Sequence, residues 1–260
     1  MPTVKNRFAF LPRFRYEEEL AAGTTVELLG EEARHALRAR RLRPGDAVAL
    51  VDGRGTTARG ELLRLTNAGV LVELTEVARN LNELPQRIIL YQALVKHRRF
   101  ENALAMTTAL GVSAIIPLLS ERSIARPNPE RLHKYQQRWN KLAWEEVKVA
   151  ERSVVPAIGS TVDLPIAINC GACDYKIILT PRKGVPALDR LVERLHIEPG
   201  ERLALIIGPE GDFTEEEYES AIAAGCLPAS LGDRLLRSEY AGIMAVAATL
   251  VGLGALEEYP

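Results

Sequence analysis

Two runs of residues are suited to ligand chemistry. Leu205-Ile206-Ile207-Gly208-Pro209-Glu210-Gly211-Asp212-Phe213-Thr214 carries an apolar stretch into a glycine-containing turn and on to a helix start. At the carboxyl edge of an α/β sheet, such a turn lets main-chain amides and carbonyls approach a flat ligand and read its edge. Taken alone it is equally an ordinary strand-to-helix connection. The second run is Ser230-Leu231-Gly232-Asp233-Arg234-Leu235-Leu236-Arg237-Ser238-Glu239-Tyr240-Ala241. Here a glycine loop leads to Arg237, with Ser238 expected as N-cap of a helix to about residue 253. That helix is apolar almost all round, so it must be covered by the sheet, a neighbouring helix or a second subunit. A charged Arg237-Ser238-Glu239 step at its start suits a functional role; an Arg–Glu pair bracing the helix end is the structural alternative.

Cations gather in two further places. Lys96-His97-Arg98-Arg99-Phe100-Glu101 follows one expected strand and Ser120-Glu121-Arg122-Ser123 the next. In a parallel sheet this puts Lys96, Arg98, Arg99 and Arg122 at one edge, a placement that suits phosphate contact. Arg34, His35, Arg38, Arg40, Arg41 and Arg43 form a basic stretch that could track a nucleic-acid backbone. Arg131, Lys134, Arg138 and Lys141 lie on a long helix and are as readily a solvated face. The whole chain has 33 Lys plus Arg against 34 Asp plus Glu, but the charge is unevenly spread. Residues 1–83 carry 13 basic and 12 acidic groups, residues 84–156 carry 12 and 6, and residues 157–260 carry 8 and 16. The sums of +1, +6 and −8 give a basic middle beside an acidic end, as a face for a polyanion would require.

The elements that position these groups follow two rhythms. Up to about residue 77, short alternating stretches at 24–29, 46–51, 58–65 and 69–75 read as strands separated by Gly, Pro and Asn turns. With a single helical interruption at 31–41, this pattern suggests a small barrel. A polar segment at 78–85 reads as a linker. Beyond it, strand-like runs at 87–94, 112–119, 175–179 and 203–207 alternate with helical ones at 98–110 and from Asn128-Pro129 onward. Thr214 and Glu217 are spaced as a capping box. Such alternation predicts a parallel sheet flanked by helices.

Other chemistries lack their patterns. Asp52-Gly53-Arg54-Gly55 is followed by a strand-like run rather than a helix, and there is no G-x-G-x-x-G. Cys170-Gly171-Ala172-Cys173 has no second cysteine or histidine pair to complete a metal site. The four histidines show no metalloprotease spacing, and no metal is expected. At 260 residues, 47% hydrophobic and 26% charged, the chain is neither disordered nor collagen-like. Three cysteines make no disulfide framework, and no apolar run is long enough to span a bilayer. With no signal-peptide core at the N-terminus, the expected place is the cytoplasm, without a membrane partner.

Taken in order, these motifs resemble the RsmE family, bacterial 16S ribosomal RNA (uridine-N3) methyltransferases of the SPOUT superfamily. The resemblance runs over nearly the whole chain: 32–46, Lys96-His97-Arg98-Arg99-Phe100-Glu101, Leu110-Gly111-Val112, Ser120-Glu121-Arg122-Ser123, Arg152 with Val155-Pro156, Gly208-Pro209-Glu210-Gly211, and Leu231-Gly232 through Leu236-Arg237-Ser238-Glu239. It implies an α/β protein: an N-terminal PUA-like β-barrel for RNA (1–77), a linker (78–85), and a C-terminal SPOUT domain (86–260) with a parallel sheet and a trefoil knot. It also implies S-adenosylmethionine bound in a cleft of the knot loops, a homodimer, and 16S rRNA, in the 30S subunit, as partner. Carried onto this sequence, the cleft would be Leu179, Thr180, Pro181, Ile207, Gly208, Pro209, Glu210, Gly211, Leu231, Gly232, Leu236, Arg237, Ser238 and Ala241. Arg152 joins the expected RNA contacts. Arg237 would stabilise charge developing on a uracil carbonyl, with Glu239 or a neighbouring carboxylate taking the N3 proton. Four positions depart from the family pattern: Asp212 for glycine, Ser238 and Tyr240 for threonine, and Val149 for glutamine. The competing expectations are ribose 2′-O-methylation on the same fold, or an RNA-binding or ribosome-assembly protein without catalysis.

Overall fold

The computed structural model describes residues 4–256, the side chain of His97 excepted. It divides into two compact units, one of residues up to Glu83 with Trp144–Val155, the other of Leu84–Ala143 with residues from Pro156 on. Their boundary is not linear in sequence. Helix α4 below ends in the first unit, and residues 150–155 stay with it.

The first unit contains α1 (Val4–Phe8), β1 (Arg13–Arg15), β2 (Thr25–Leu29), α2 (Gly30–Arg34), a π-helical turn (His35–Ala39), β3 (Ala47–Val51), β4 (Thr56–Leu65) and β5 (Gly69–Arg79). The five strands form one sheet in the order β1-β3-β4-β5-β2. Two register shifts along the β4–β5 ladder add local twist, which curls the sheet. One face buries Phe14, Val26, Leu28, Leu50, Val72 and Leu74, with Ala33 and Ala36 of the helical insertion against them. Those apolar residues recur at alternate positions because successive side chains of a strand point to opposite faces. β5 runs to Arg79, so part of the segment expected as a linker is strand. β1 and α1 carried no periodic signal, being only three and five residues long.

Asp52-Gly53-Arg54-Gly55 is a structural turn. Asp52 Oδ1 accepts from the amides of Arg54 and Thr56 at 2.8 Å each. Gly53 adopts a φ of +72°, and a Cβ there would lie 2.5 Å from Trp144 Cη2, so only glycine fits.

The second unit contains β6 (Arg87–Ala93), α3 (His97–Ala109), β7 (Ala114–Leu119), most of α4 (Pro129–Val149), β8 (Ala157–Ile158), β9 (Val162–Asp163) and α5 (Leu164–Ile168). After these come β10 (Tyr175–Leu179), α6 (Leu188–Leu195), β11 (Arg202–Ile207), α7 (Glu215–Ala223), β12 (Leu227–Ala229) and α8 (Ser238–Gly252). The sheet order is β12-β10-β11-β6-β7-β8, and every pairing is parallel. Ile178, Ala204, Ile206 and Tyr91 pack on one face with α5 and α7. Strands this apolar are buried on both faces, as a parallel sheet covered by helices requires. Both bonds of the expected capping box form: Glu217 N–H to Thr214 Oγ1 at 3.2 Å and Thr214 N–H to Glu217 Oε2 at 3.0 Å. α8 starts one residue earlier than expected: Arg237 holds the N-cap position with an extended backbone, and Ser238 is the first helical residue. The Ser238 hydroxyl is thereby released from capping.

Candidate active site

β10, β11 and β12 are adjacent and parallel, so the segments leaving their carboxyl ends meet at one edge of the sheet. There they line a cleft made by Leu179, Thr180, Pro181, Ile207, Gly208, Pro209, Glu210, Asp212, Leu231, Gly232, Arg234, Leu235, Leu236, Ser238 and Ala241. Nearly all the residues expected around the donor are brought together. Gly211 and Arg237 are not among the lining residues, whereas Asp212, Arg234 and Leu235 are.

The cleft is held by polar contacts that no local pattern announces. Ser238 Oγ donates to the Gly208 carbonyl at 2.6 Å and accepts from Gln92 Nε2 at 3.0 Å. The first residue of α8 is thus tied to the end of β11 and to β6. Gly242, one turn further along α8, leaves room for the same amide: a Cβ there would come within 2.0 Å of Gln92 Oε1. Thr180 N–H bonds the Ala229 carbonyl at 3.0 Å, joining the β10 and β12 segments. The turn after β11 closes through Asp212 N–H to the Pro209 carbonyl at 3.0 Å. Asp212 has φ +58°, a left-handed conformation that glycine adopts freely and Asp tolerates better than most residues. This accounts for a glycine being expected there. Burial raises the Asp212 carboxyl above its ordinary value, against the Phe213 amide, Arg182 and Arg122, which favour its charged form.

The expected cations divide by what they touch. Arg122 Nη1 donates to the Gly211 carbonyl at 2.9 Å and so braces the turn. Arg99 sits between two acids, 3.0 Å from Glu210 and 3.7 Å from Glu239. Lys96 and Arg98 are exposed at the start of α3. In the first unit, Arg34, Arg38, Arg40, Arg41 and Arg43 are exposed and His35 is half-buried, its ring edge-on to Phe14. Two expectations need correction. Arg152 is not available to RNA: it is 2% exposed, and its guanidinium bonds Glu83 at 2.6 Å. Glu83 also accepts from the Ser153 and Val154 amides at 2.8 and 2.9 Å, which fastens 152–154 to the connection that follows β5. Glu239 does not open on the cleft; it is 3% exposed, with Arg99 as its ion-pair partner. Arg237, by contrast, is exposed at the head of α8.

The cleft's chemistry suits a cationic purine nucleoside. Leu179, Pro181, Ile207, Leu231 and Leu236 supply apolar walls, main chain at three strand ends can read a base edge, and Glu210 and Asp212 offer negative charge. A cation bound there would offset the burial that disfavours the Asp212 carboxylate. Cys170 and Cys173 stand side by side away from these residues, and no group of metal-ligating side chains occurs among the described residues.

Comparison with known proteins shows the family. The RNA methyltransferase domain family matches residues 82–250, and the RNA methyltransferase PUA domain family matches residues 28–75. Ribosomal RNA small subunit methyltransferase E of Synechocystis sp. is 30% identical over 86% of this chain and 72% of its own length. The crystal structure of ribosomal RNA small subunit methyltransferase E from Neisseria gonorrhoeae, bound to S-adenosyl methionine, superposes with a TM-score of 0.80 at 30% identity. It covers 92% of this chain and 97% of that one. A putative methyltransferase from Legionella pneumophila in complex with the same cofactor gives 0.81 at 29% identity, with the same coverage.

Proposed function

The chain belongs to the RsmE family of RNA methyltransferases, and we propose from that premise that it methylates the N3 of a specific uridine in 16S rRNA, with S-adenosylmethionine as donor. The observation that carries this reading is the cleft at the carboxyl ends of β10, β11 and β12, whose lining falls on the residues carried over for the donor. Relatives of the same fold are solved with that molecule bound. When bound, the donor supplies a methyl group on a sulfonium, open to direct displacement.

The residues' part is alignment, charge and proton removal. Ser238, fixed by Gln92 and Gly208, holds the head of α8 against the cleft, so that Arg237 projects from a rigid position. There its guanidinium stabilises the negative charge that grows on a uracil carbonyl as N3 loses its proton. Glu210, a cleft carboxylate steadied by Arg99, takes that proton, while buried Glu239 anchors Arg99 from behind. The exposed arginines of the first unit bind the RNA backbone. α8 leaves Tyr240, Met244 and Val251 exposed, an apolar face that a second copy of the chain covers in a homodimer. The C-terminal segments are threaded as the trefoil knot of this family. No helix among the described residues is long and apolar enough to cross a membrane; the substrate is the 30S subunit in the cytoplasm.

The test is to incubate the chain and donor with small subunits from a strain lacking this modification, then map the product. A base-methylated uridine is expected. A methylated ribose would move the assignment to 2′-O transfer. Absence of both transfer and calorimetric donor binding would leave an RNA-binding protein only. Arg237→Ala is expected to lower kcat by about 10²–10³ with donor binding retained.

A further inference from the structure

A second cavity of about 250 Å³ in the first unit and a third of about 200 Å³ in the second take no part in the site above. The third carries an inference. Leu94 and Val95, just past the carboxyl end of β6, form its floor, and Arg126, Arg131, Tyr135 and Trp139 stand around it. We propose that this cavity binds an unstacked nucleobase of the RNA substrate next to the acceptor nucleotide, with Arg126 and Arg131 on the adjoining phosphates.

Four observations support this. The first is position: β6 and β11 are adjacent and parallel, with Gln92 beside Ile207, so Leu94 and Gly208 leave the same sheet edge one strand apart. Two connections flank both cavities. Arg99, four residues after Val95, bonds Glu210 of the donor cleft at 3.0 Å. Arg122, four before Arg126, bonds the Gly211 carbonyl at 2.9 Å. A strand of RNA that places one base at the donor is therefore led over this third cavity.

The second observation is charge: the lining includes the exposed residues Arg126, one of whose guanidinium nitrogens donates to the Ser120 carbonyl at 2.7 Å, and Arg131, with no carboxylate among the described residues. Next comes ring geometry. Tyr135 is half-buried and backed by Trp139, with ring centroids 5.7 Å apart, while Phe100 lies 4.6 Å behind Trp139. A stacking surface supported in this way does not have to be ordered when a base arrives. The fourth is an unmet hydrogen bond: Trp139 is 2% exposed, and its indole N–H has no acceptor among the described residues. Buried indole N–H groups usually have a partner, and a base carbonyl or ring nitrogen supplies one. Apolar floor, aromatic wall and cationic rim together are the composition of a base-and-phosphate site.

The inference deepens the RNA-methylation reading and rests on it for the acceptor's position, yet its test does not depend on turnover. The full chain is irradiated with a single-stranded oligoribonucleotide containing 4-thiouridine, and the cross-linked peptide is identified by mass spectrometry. An adduct on the peptide holding Tyr135 and Trp139 is expected. Tyr135→Ala should weaken oligonucleotide binding roughly tenfold or more, Tyr135→Phe should restore it, and donor affinity should not move. Arg131→Ala, at an exposed position that leaves the fold intact, should reduce the salt slope of log K by about 0.7, the loss of one single-strand phosphate contact. Cross-links confined to other peptides, or an unchanged salt slope in Arg131→Ala, would overturn the proposal. Failure of the wild-type chain to bind donor while the adduct forms would sink the methylation reading and leave this site standing.

Discussion

Replacing Ser238 by alanine removes one oxygen that serves two partners. Its hydroxyl donates to the Gly208 carbonyl at 2.6 Å and accepts from Gln92 Nε2 at 3.0 Å, and Ser238 and Gln92 are both buried. Each neutral hydrogen bond contributes about 0.5–1.5 kcal/mol net, and a buried group left unsatisfied costs about 1–3 kcal/mol. Gln92 Nε2 keeps weaker contacts to the carbonyls of Ser238 and Ala93, at 3.3 and 3.5 Å, so it is only partly orphaned. The Gly208 carbonyl loses a donor outright. The expected loss for Ser238→Ala is therefore about 2–3 kcal/mol, roughly 4–12 °C in the melting of a domain this size. Because the broken bond frees the Gly208 turn, donor affinity should fall with it. Ser238→Thr keeps the hydroxyl and should hold both. Calorimetric titration with S-adenosylmethionine, paired with thermal melts of all three chains, measures this. Wild-type stability and donor affinity in Ser238→Ala would show that the Ser238 contacts do not hold the cleft.

Asp212 gives a pH dependence. Burial raises its carboxyl, so the stability it contributes when protonated is complete below the unfolded value, 3.8, and is lost as pH rises through the higher folded value. Asp212→Asn, which also tolerates the left-handed backbone, should gain on the wild type from acid to neutral pH. Identical differences in urea midpoint at about pH 3 and about pH 7 would contradict this. Gly242→Ala drives a methyl group to 2.0 Å from Gln92 Oε1 and should destabilise by about 1–3 kcal/mol, a penalty that Gln92→Ala in the same chain should largely relieve. Removing Glu83 leaves Arg152 buried without its carboxylate; Glu83→Ala should cost about 3–5 kcal/mol in chemical denaturation of the first unit. An effect of Glu83→Ala on RNA affinity with unchanged stability would instead return Arg152 to the RNA surface.

What the amino-acid sequence determined by itself is the longer periodic elements, their caps and the turns between them, while short ones such as α1, β1, β8 and β9 carried no signal. Strands 175–179 and 202–207, the Thr214 capping box and the glycine turns depend on neighbours a few residues away, so hydrophobic period and cap chemistry suffice to place them. Order and spacing of the motifs along the chain were enough to resemble the family. Only the tertiary structure decided which polar groups meet. Ser238 and Gln92 are 146 residues apart, Arg99 and Glu210 are 111, and Arg152 and Glu83 are 69. An arginine in a basic run looks the same in sequence whether it faces RNA, braces a turn as Arg122 does, or lies buried on an acid as Arg152 does. The difference is set by burial and by which distant carboxylate or carbonyl the fold delivers, and charge pattern holds no record of either. The division into units has the same cause. Residues 144–149 continue a helix begun in the second unit and 150–155 follow it, and only their packing, Trp144 over Gly53 and Arg152 on Glu83, assigns them to the first.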